Sequence, residues 1–263
     1  KPIWSDSIEK IISKVFTIDY YKNNKKQILF ASSDKIYGYD RKGNRLTGFP
    51  FENPSESPIT HLNIIDYDKS KRYRIISSHG NGEIYFYDKS GNILKGWNPL
   101  SMNDNLVQAP IHKRVRGKDY ILILTDVSAY IMQFVGPPFT FSIQQVGSNC
   151  GLIGQHALYY INGAVYWMGR SGGFFVYDGT VKSLPCLVED FVFTTLGDSL
   201  GINYNSGEIV SAGVNNLFSE INWFYPKNGS DQIDRTVTYN FDEIRREVTI
   251  IRNNTISTAN NNY

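Results

Sequence analysis

The side chains with the most chemistry in them are thinly spread along this chain. Four histidines, His61, His79, His112 and His156, lie far apart, and none has a second His or Cys at the spacing a metal site needs. His79 stands beside Gly80-Asn81-Gly82 and reads as a solvated loop histidine. Asp66, Asp68 and Ser70 mimic the start of a calcium loop, but no Gly follows at the sixth position and no Glu at the twelfth. Cys150 and Cys186 sit in Ser-Asn-Cys-Gly and Leu-Pro-Cys-Leu, which are neither metal nor redox motifs, and read as two buried free thiols. Gly169-Arg-Ser-Gly-Gly173 is glycine-rich yet lies between strand-like segments, so it predicts a hairpin turn and not a phosphate loop. Glu189-Asp190 and Asp242-Glu243 have no acid/base partner in sequence and read as exposed turns. Trp97, Trp167 and Trp223 read as core aromatics. No nucleophile elbow, phosphate loop or dinucleotide fingerprint occurs, so no catalytic, cofactor-binding or metal-binding set is predicted.

What does recur is architectural. Tyr37-Gly-Tyr39-Asp40-Arg-Lys-Gly43-Asn44-Arg-Leu-Thr-Gly48-Phe49 returns, without a gap, as Tyr85-Phe-Tyr87-Asp88-Lys-Ser-Gly91-Asn92-Ile-Leu-Lys-Gly96-Trp97. The bulky β-formers before each Asp predict a strand buried on both faces. Asp, Gly and Asn then predict a tight loop, and Ile93-Leu94 a return strand ended by Gly96. A strand-built repeat of this length predicts propeller blades of four strands each. Ala129–Met132 echoes the inner strand without the loop, and Tyr177-Asp178-Gly179 echoes the loop entrance. Between them, His156–Ile161, Asn162-Gly163 and Ala164–Met168 predict a type I′ hairpin. Strands are expected also at Gln27–Ser33, Pro58–Ile65, Tyr73–Ser78, Tyr120–Thr125, Glu208–Ala212, Glu220–Pro226, Arg235–Asn240 and Glu247–Ile251. The stretch Lys1–Lys14 has apolar residues at helical spacing and predicts a short helix or a closing strand. The fold class is therefore all-β, a partial or complete β-propeller of five to six blade-like units. Residues 1–132 carry the strict repeat, residues 133–263 continue the architecture, and residues 253–263 form a frayed polar tail.

Composition sets the bounds. Among 263 residues, 18 Tyr, 15 Phe and 22 Gly favour β structure with many turns. No apolar run is long enough to span a bilayer as a helix. The chain lacks an initiator Met and a signal peptide and reads as a fragment or processed form. Net charge is +2, but residues 1–132 hold 20 Lys+Arg against 14 Asp+Glu, and residues 133–263 hold 7 against 11. The basic half would suit an acidic partner, nucleic acid or a membrane surface; the simpler reading is solvated lysine-rich turns such as Lys22–Lys26.

Two resemblances follow. The repeat, with Ser57–Leu62, Asp66-Tyr-Asp68 and His112–Tyr120, makes residues 19–132 resemble envelope-associated β-propeller repeats of Bacteroidota. Met132–Phe141, Ser148–Gly154, Gly172–Cys186, Glu220–Pro226 and Gln232–Asn240 make residues 125–243 resemble the tail nozzle, or tail tubular, structural proteins of short-tailed phages. The two meet near Leu124–Met132. The longer, nozzle-like match implies a non-catalytic virion structural protein of the phage tail. It implies as partners other tail proteins or further copies of itself in a ring, with transient non-specific DNA contact. Arg170, Lys182 and Arg235 are the few basic residues of that half available for such contact. The repeat implies instead an interaction platform in the bacterial envelope or periplasm.

Overall fold

The computed structural model describes residues 4–66, 69–94, 100–102, 104–115, 118–134, 141–194, 201–241 and 248–252. Twenty strands form five four-stranded antiparallel sheets, each a simple meander in chain order. The first holds β1 (Phe16–Ile18), β2 (Gln27–Ala31), β3 (Lys35–Tyr39) and β4 (Phe51–Glu52). The second holds β5 (Ile59–Ile65), β6 (Arg74–His79), β7 (Glu83–Tyr87) and β8 (Leu100–Ser101). The third holds β9 (Ile111–Val115), β10 (Lys118–Leu124), β11 (Ala129–Phe134) and β12 (Phe141–Gly147). The fourth holds β13 (Leu158–Ile161), β14 (Ala164–Met168), β15 (Phe174–Tyr177) and β16 (Val181–Ser183), and the fifth β17 (Ser211–Asn215), β18 (Glu220–Tyr225), β19 (Arg235–Asn240) and β20 (Val248–Arg252). Two short helices, α1 (Glu189–Phe193) and the 3-10 helix Tyr204–Ile209, connect the last two sheets.

The chain divides into two compact units. One comprises Lys1–Lys113, Asp119–Ile123 and Ile131–Gln144; the other comprises Arg114–Lys118, Leu124–Tyr130 and Gln145–Tyr263. In the first unit the inner strands alternate β-branched and aromatic residues and bury both faces. Leu29 and Ile36 of the first sheet pack with Ile59, Leu62, Ile75, Tyr85 and Tyr87 of the second. At about 25 cal/mol per Å² of apolar area, such two-sided burial is the main reason these strands hold. In the second unit Trp167 and Trp223 have no solvent exposure, and Phe174 packs on Trp223 at 4.9 Å between ring centroids. Each indole N–H donates to a carbonyl: Trp167 to Cys150 at 2.7 Å, and Trp223 to Ala157 at 3.0 Å.

Several expectations need correction. Residues 4–14 form neither helix nor ladder strand; they run extended, with Ile12 N–H donating to Ala31 O at 2.9 Å and Ser13 Oγ accepting from Ala31 N–H. The edge of β2 offers hydrogen bonds that a free helix would forgo. The return strand of the repeat shrinks to single bridges, Tyr39 to Arg45 and Tyr87 to Ile93. The outer strand forms later, where Phe51-Glu52 and Leu100-Ser101 pair with the start of the inner strand. Glu208 lies in the 3-10 helix and β17 begins only at Ser211. Glu189-Asp190 is not a turn but the first turn of α1, where carboxylates suit the exposed helix N–H groups. Cys150 is buried, whereas Cys186 is half-buried; both are free. Gly96, Trp97, Asp68, Arg116-Gly117, Val135–Thr140, Asp242-Glu243, Glu247 and the tail 253–263 lie outside the described residues.

Candidate functional site

The repeated loop can be built atom by atom. In the first copy Asp40 Oδ1 accepts from Lys42 N–H at 2.7 Å and Asn44 N–H at 2.9 Å, and Oδ2 from Asn44 Nδ2 at 2.9 Å. In the second, Asp88 does the same with Ser90 and Asn92 at 2.7, 3.1 and 3.1 Å. Gly43 and Gly91 both take φ +87°, which an L side chain enters only with strain. These bonds hold the Asp40 carboxyl below its ordinary pKa, with the Asn44 side-chain bond the largest cause. The third echo differs: Asp178 caps no such loop, but pairs with Lys182 Nζ at 2.8 Å, and Gly179 turns at φ +120°. What the three copies share is the buried tyrosine, Tyr39, Tyr87 and Tyr177.

Each of the first two loops carries an aromatic plug. Phe51 lies 4.9 Å from the Tyr87 ring, and a Cβ on Gly91 would stand 2.5 Å from Phe51. Trp4 stands the same way, 5.2 Å from the Tyr39 ring, where a Cβ on Gly43 would come within 2.6 Å of it. Gly48, also at φ +87°, lets the chain pass Ser90, whose carbonyl would meet a Cβ at 2.5 Å. The loops between the first two strands of each sheet repeat as well. Lys22 and Lys69 turn at φ 57° and 55°, Asn24 and Lys71 at 61° and 60°. Asp19, buried, accepts from the Asn23 and Asn24 N–H groups and from Lys71 Nζ, and Asp66 accepts from Lys71 N–H. The Lys71 bond is the largest cause of a depressed Asp19 pKa. Asp66 therefore ties down its own loop.

His79 is the main departure from expectation. It is not a solvated loop residue: it ends β6 at 1% exposure, bonded to Ser77, which in turn meets Tyr87, both of them equally buried. His79 Nδ1 lies 3.2 Å from Ser57 O, Nε2 lies 2.8 Å from Ser77 Oγ, and Ser77 Oγ lies 3.2 Å from Tyr87 Oη. A carbonyl can only accept, so Nδ1 carries the proton and donates to Ser57. Nε2 then accepts from Ser77, and Ser77 from Tyr87. Burial pushes the His79 pKa down, opposed by the Ser57 bond, and pushes the Tyr87 hydroxyl up. A serine hydroxyl on a neutral imidazole is the geometry of an activated nucleophile. Here the hydroxyl is sealed from solvent and the imidazole is oriented by a backbone carbonyl, so the arrangement ties β6 to β7 and to the segment that leads into β5. β6 is buried on both faces from Ile75 to His79, and His79 is enclosed as the last residue of that strand.

The other candidates scatter. His61 is half-buried, with Nδ1 3.1 Å from Thr60 Oγ1 and its pKa lowered by burial; His112 meets Asp119 at 3.0 Å; His156 is exposed. Among the described residues no three His, Cys, Asp or Glu stand together as a metal site, and no helix is long and apolar enough to cross a membrane. Gly169–Gly173 is the turn from β14 to β15, as expected. Asn162 and Gly163, at φ 50° and 76°, make the expected hairpin turn. In the second unit a solvent-open groove of about 180 Å³ lies beside the third repeat echo, lined by Tyr166, Val176, Leu184 and Tyr239 with the Asp178–Lys182 pair at its wall. It offers aromatic and apolar contact, one ion pair and the Ser183 hydroxyl. At the tip between β17 and β18, Leu217 and Phe218 are 83% and 59% exposed. Their backbone is held fast: Phe218 N–H donates to Asn215 O, Asn240 Nδ2 to Phe218 O at 3.0 Å, and Phe241 N–H to Ser219 O at 2.8 Å.

No protein-family model and no curated protein matches the sequence. Among solved structures, BBS1N in complex with ARL6DN is similar over 89% of this chain and 77% of that chain, at 11% identity and TM-score 0.51. The fold is a β-propeller. The WD40 domain of Neurospora crassa Pan2 aligns over 92% of this chain and 65% of that one, at 12% identity and TM-score 0.48. BamB from Moraxella catarrhalis aligns over 92% and 71%, at 15% identity and TM-score 0.44. At such identities the likeness speaks for the propeller alone, with each four-stranded meander a blade.

Proposed function

We propose that this propeller is a non-catalytic protein-interaction platform within a larger assembly. One observation carries it. Ser77, His79 and Asp19 are turned inward and the Asp40 and Asp88 carboxylates are taken up by their own loops, whereas Leu217 and Phe218 are held outward on a pinned hairpin tip. Covering a Leu or Phe side chain is worth about 1.5–3 kcal/mol, enough to make such a tip an anchor. The finer reading is a structural component of a phage tail, supported by the resemblance of residues 125–243; the repeat of residues 19–132 favours an envelope platform. Recovery of the native protein with purified virions supports the first, and recovery with envelope fractions the second. Leu217→Ser with Phe218→Ser is expected to abolish its incorporation into whichever assembly holds it. Retained incorporation of a folded double variant overturns the tip as anchor.

A further inference from the structure

In the first unit the strands run so that the loop residues 19–26, 40–44, 69–73 and 88–92, with Asp66, all lie at one end of the two sheets. Lys71 bonding to Asp19 and Lys89 lying over the Tyr20 ring at 4.5 Å confirm that the loops of both blades share that end. Each loop opens on an aspartate, Asp19, Asp40, Asp66 or Asp88, and each carboxylate accepts hydrogen bonds from its own loop. The four carboxylates are thereby tied back to their loops, and the more numerous cations Lys22, Lys25, Lys26, Arg41, Lys42 and Lys69 stand outside with exposed side chains. Exposed Tyr21 and Ile93 stand among them. The opposite end carries Asp34, Glu52, Glu56, Glu83 and Asp104, with Lys10 and Lys35 the basic residues near them. Simple solvated turns would scatter charge at both ends; here one end is cationic and the other acidic.

We propose that the cationic end of the first unit binds the surface of an anionic lipid bilayer. Its exposed cations stand on three separate loop tips spread across two blades. A plane of headgroup phosphates engages all three at once, while a single polymer strand would need a track connecting them. Lysines near such a surface attract it additively, and a tyrosine among them suits the headgroup layer. This inference is independent of the interaction-platform reading, which rests on the second unit.

Vesicle co-sedimentation of the full chain tests it, with phosphatidylcholine vesicles compared with the same vesicles doped with phosphatidylglycerol. Binding is expected only to the doped vesicles and is expected to weaken as salt rises. Lys22→Gln, Lys25→Gln and Lys26→Gln together are expected to weaken it about a hundredfold, and Lys42→Gln with Lys69→Gln by a smaller factor, at unchanged melting temperature. Asp34→Asn with Glu56→Gln at the far end is expected to change nothing. Equal binding to undoped vesicles, or lysine variants that bind like the parent, overturns the proposal. So does release from the vesicles by a mixed-sequence single-stranded oligonucleotide at equal phosphate concentration, which would assign the face to nucleic acid.

Discussion

Gly91 and Gly163 share a backbone conformation and differ in everything around it. Both have positive φ, but a Cβ on Gly91 meets the Phe51 ring whereas one on Gly163 meets nothing within 4 Å. Gly163→Ala is therefore expected to cost only the left-handed backbone penalty, about 1 kcal/mol. Gly91→Ala must also displace Phe51 and is expected to cost about 2–4 kcal/mol. Urea denaturation of the two variants measures the difference, and equal losses would show that the ring yields freely. His79 predicts a pH dependence. Its folded pKa lies below the ordinary value of 6.5, so the unfolded chain binds a proton that the folded chain resists. Stability is full above about 6.5 and falls as pH drops below it. His61 shifts the same way, so the informative comparison is the parent with His79→Gln, whose acid limb is expected to be shallower. Identical limbs would remove His79 as a cause. The burial of His79 was not legible in the parity of β6, which is buried on both faces; the neighbouring Gly80-Asn81-Gly82 pointed to a loop, and local turn chemistry says nothing of how far a strand extends before it.

Among the elements, the inner strands were the easiest to read from the chain, because aromatic and β-branched residues alternate on both faces from Ile36 to Tyr39 and from Ile84 to Tyr87. The outer strands were not. β4 is two residues long and is defined by pairing with Lys35 and Ile36, partners fifteen or so positions away, so no local pattern announces it. The loop repeat of Asp19 and Asp66 is equally hidden: backbone geometry is kept while most side chains change, leaving the Asp-Tyr start as the visible trace. In the fifth sheet Trp223 is the test of how one element is anchored. Trp223→Phe leaves the Ala157 carbonyl without its indole donor and opens a void, for an expected loss of about 2–4 kcal/mol. A melting curve like the parent's would mean that the sheet repacks around the smaller ring.

For the whole molecule, the candidate site was less legible than the fold. Blade-building residues announce themselves by periodicity, whereas a binding surface is defined by what lies outside, and Leu217-Phe218 in sequence resembles any hydrophobic pair. What distinguishes it is 83% and 59% exposure at two adjacent positions on a tip whose backbone is pinned by Asn215, Asn240 and Phe241. Because both side chains already face solvent, Leu217→Ser with Phe218→Ser is expected to shift folding stability by no more than about 0.5 kcal/mol. Calorimetry checks this, and a large loss would mean that the tip serves the fold and not a partner.

The plug beneath each repeated loop carries a last consequence. Trp4 sits on Tyr39 and Gly43, and Phe51 sits on Tyr87 and Gly91, so each loop is completed by a residue borrowed from the stretch ahead of it. The sequence period and the structural blade are thus out of phase: the stretch from Trp4 to Pro50, one residue short of a period, contains one loop together with its plug. Tandem duplication of such a window, from whatever point it starts, regenerates both halves of every joint. A gene coding for this arrangement could lengthen by unequal recombination without any cut having to respect a blade boundary, and the strictness of the Tyr-x-Tyr-Asp copies is what a recent event of that kind would leave behind.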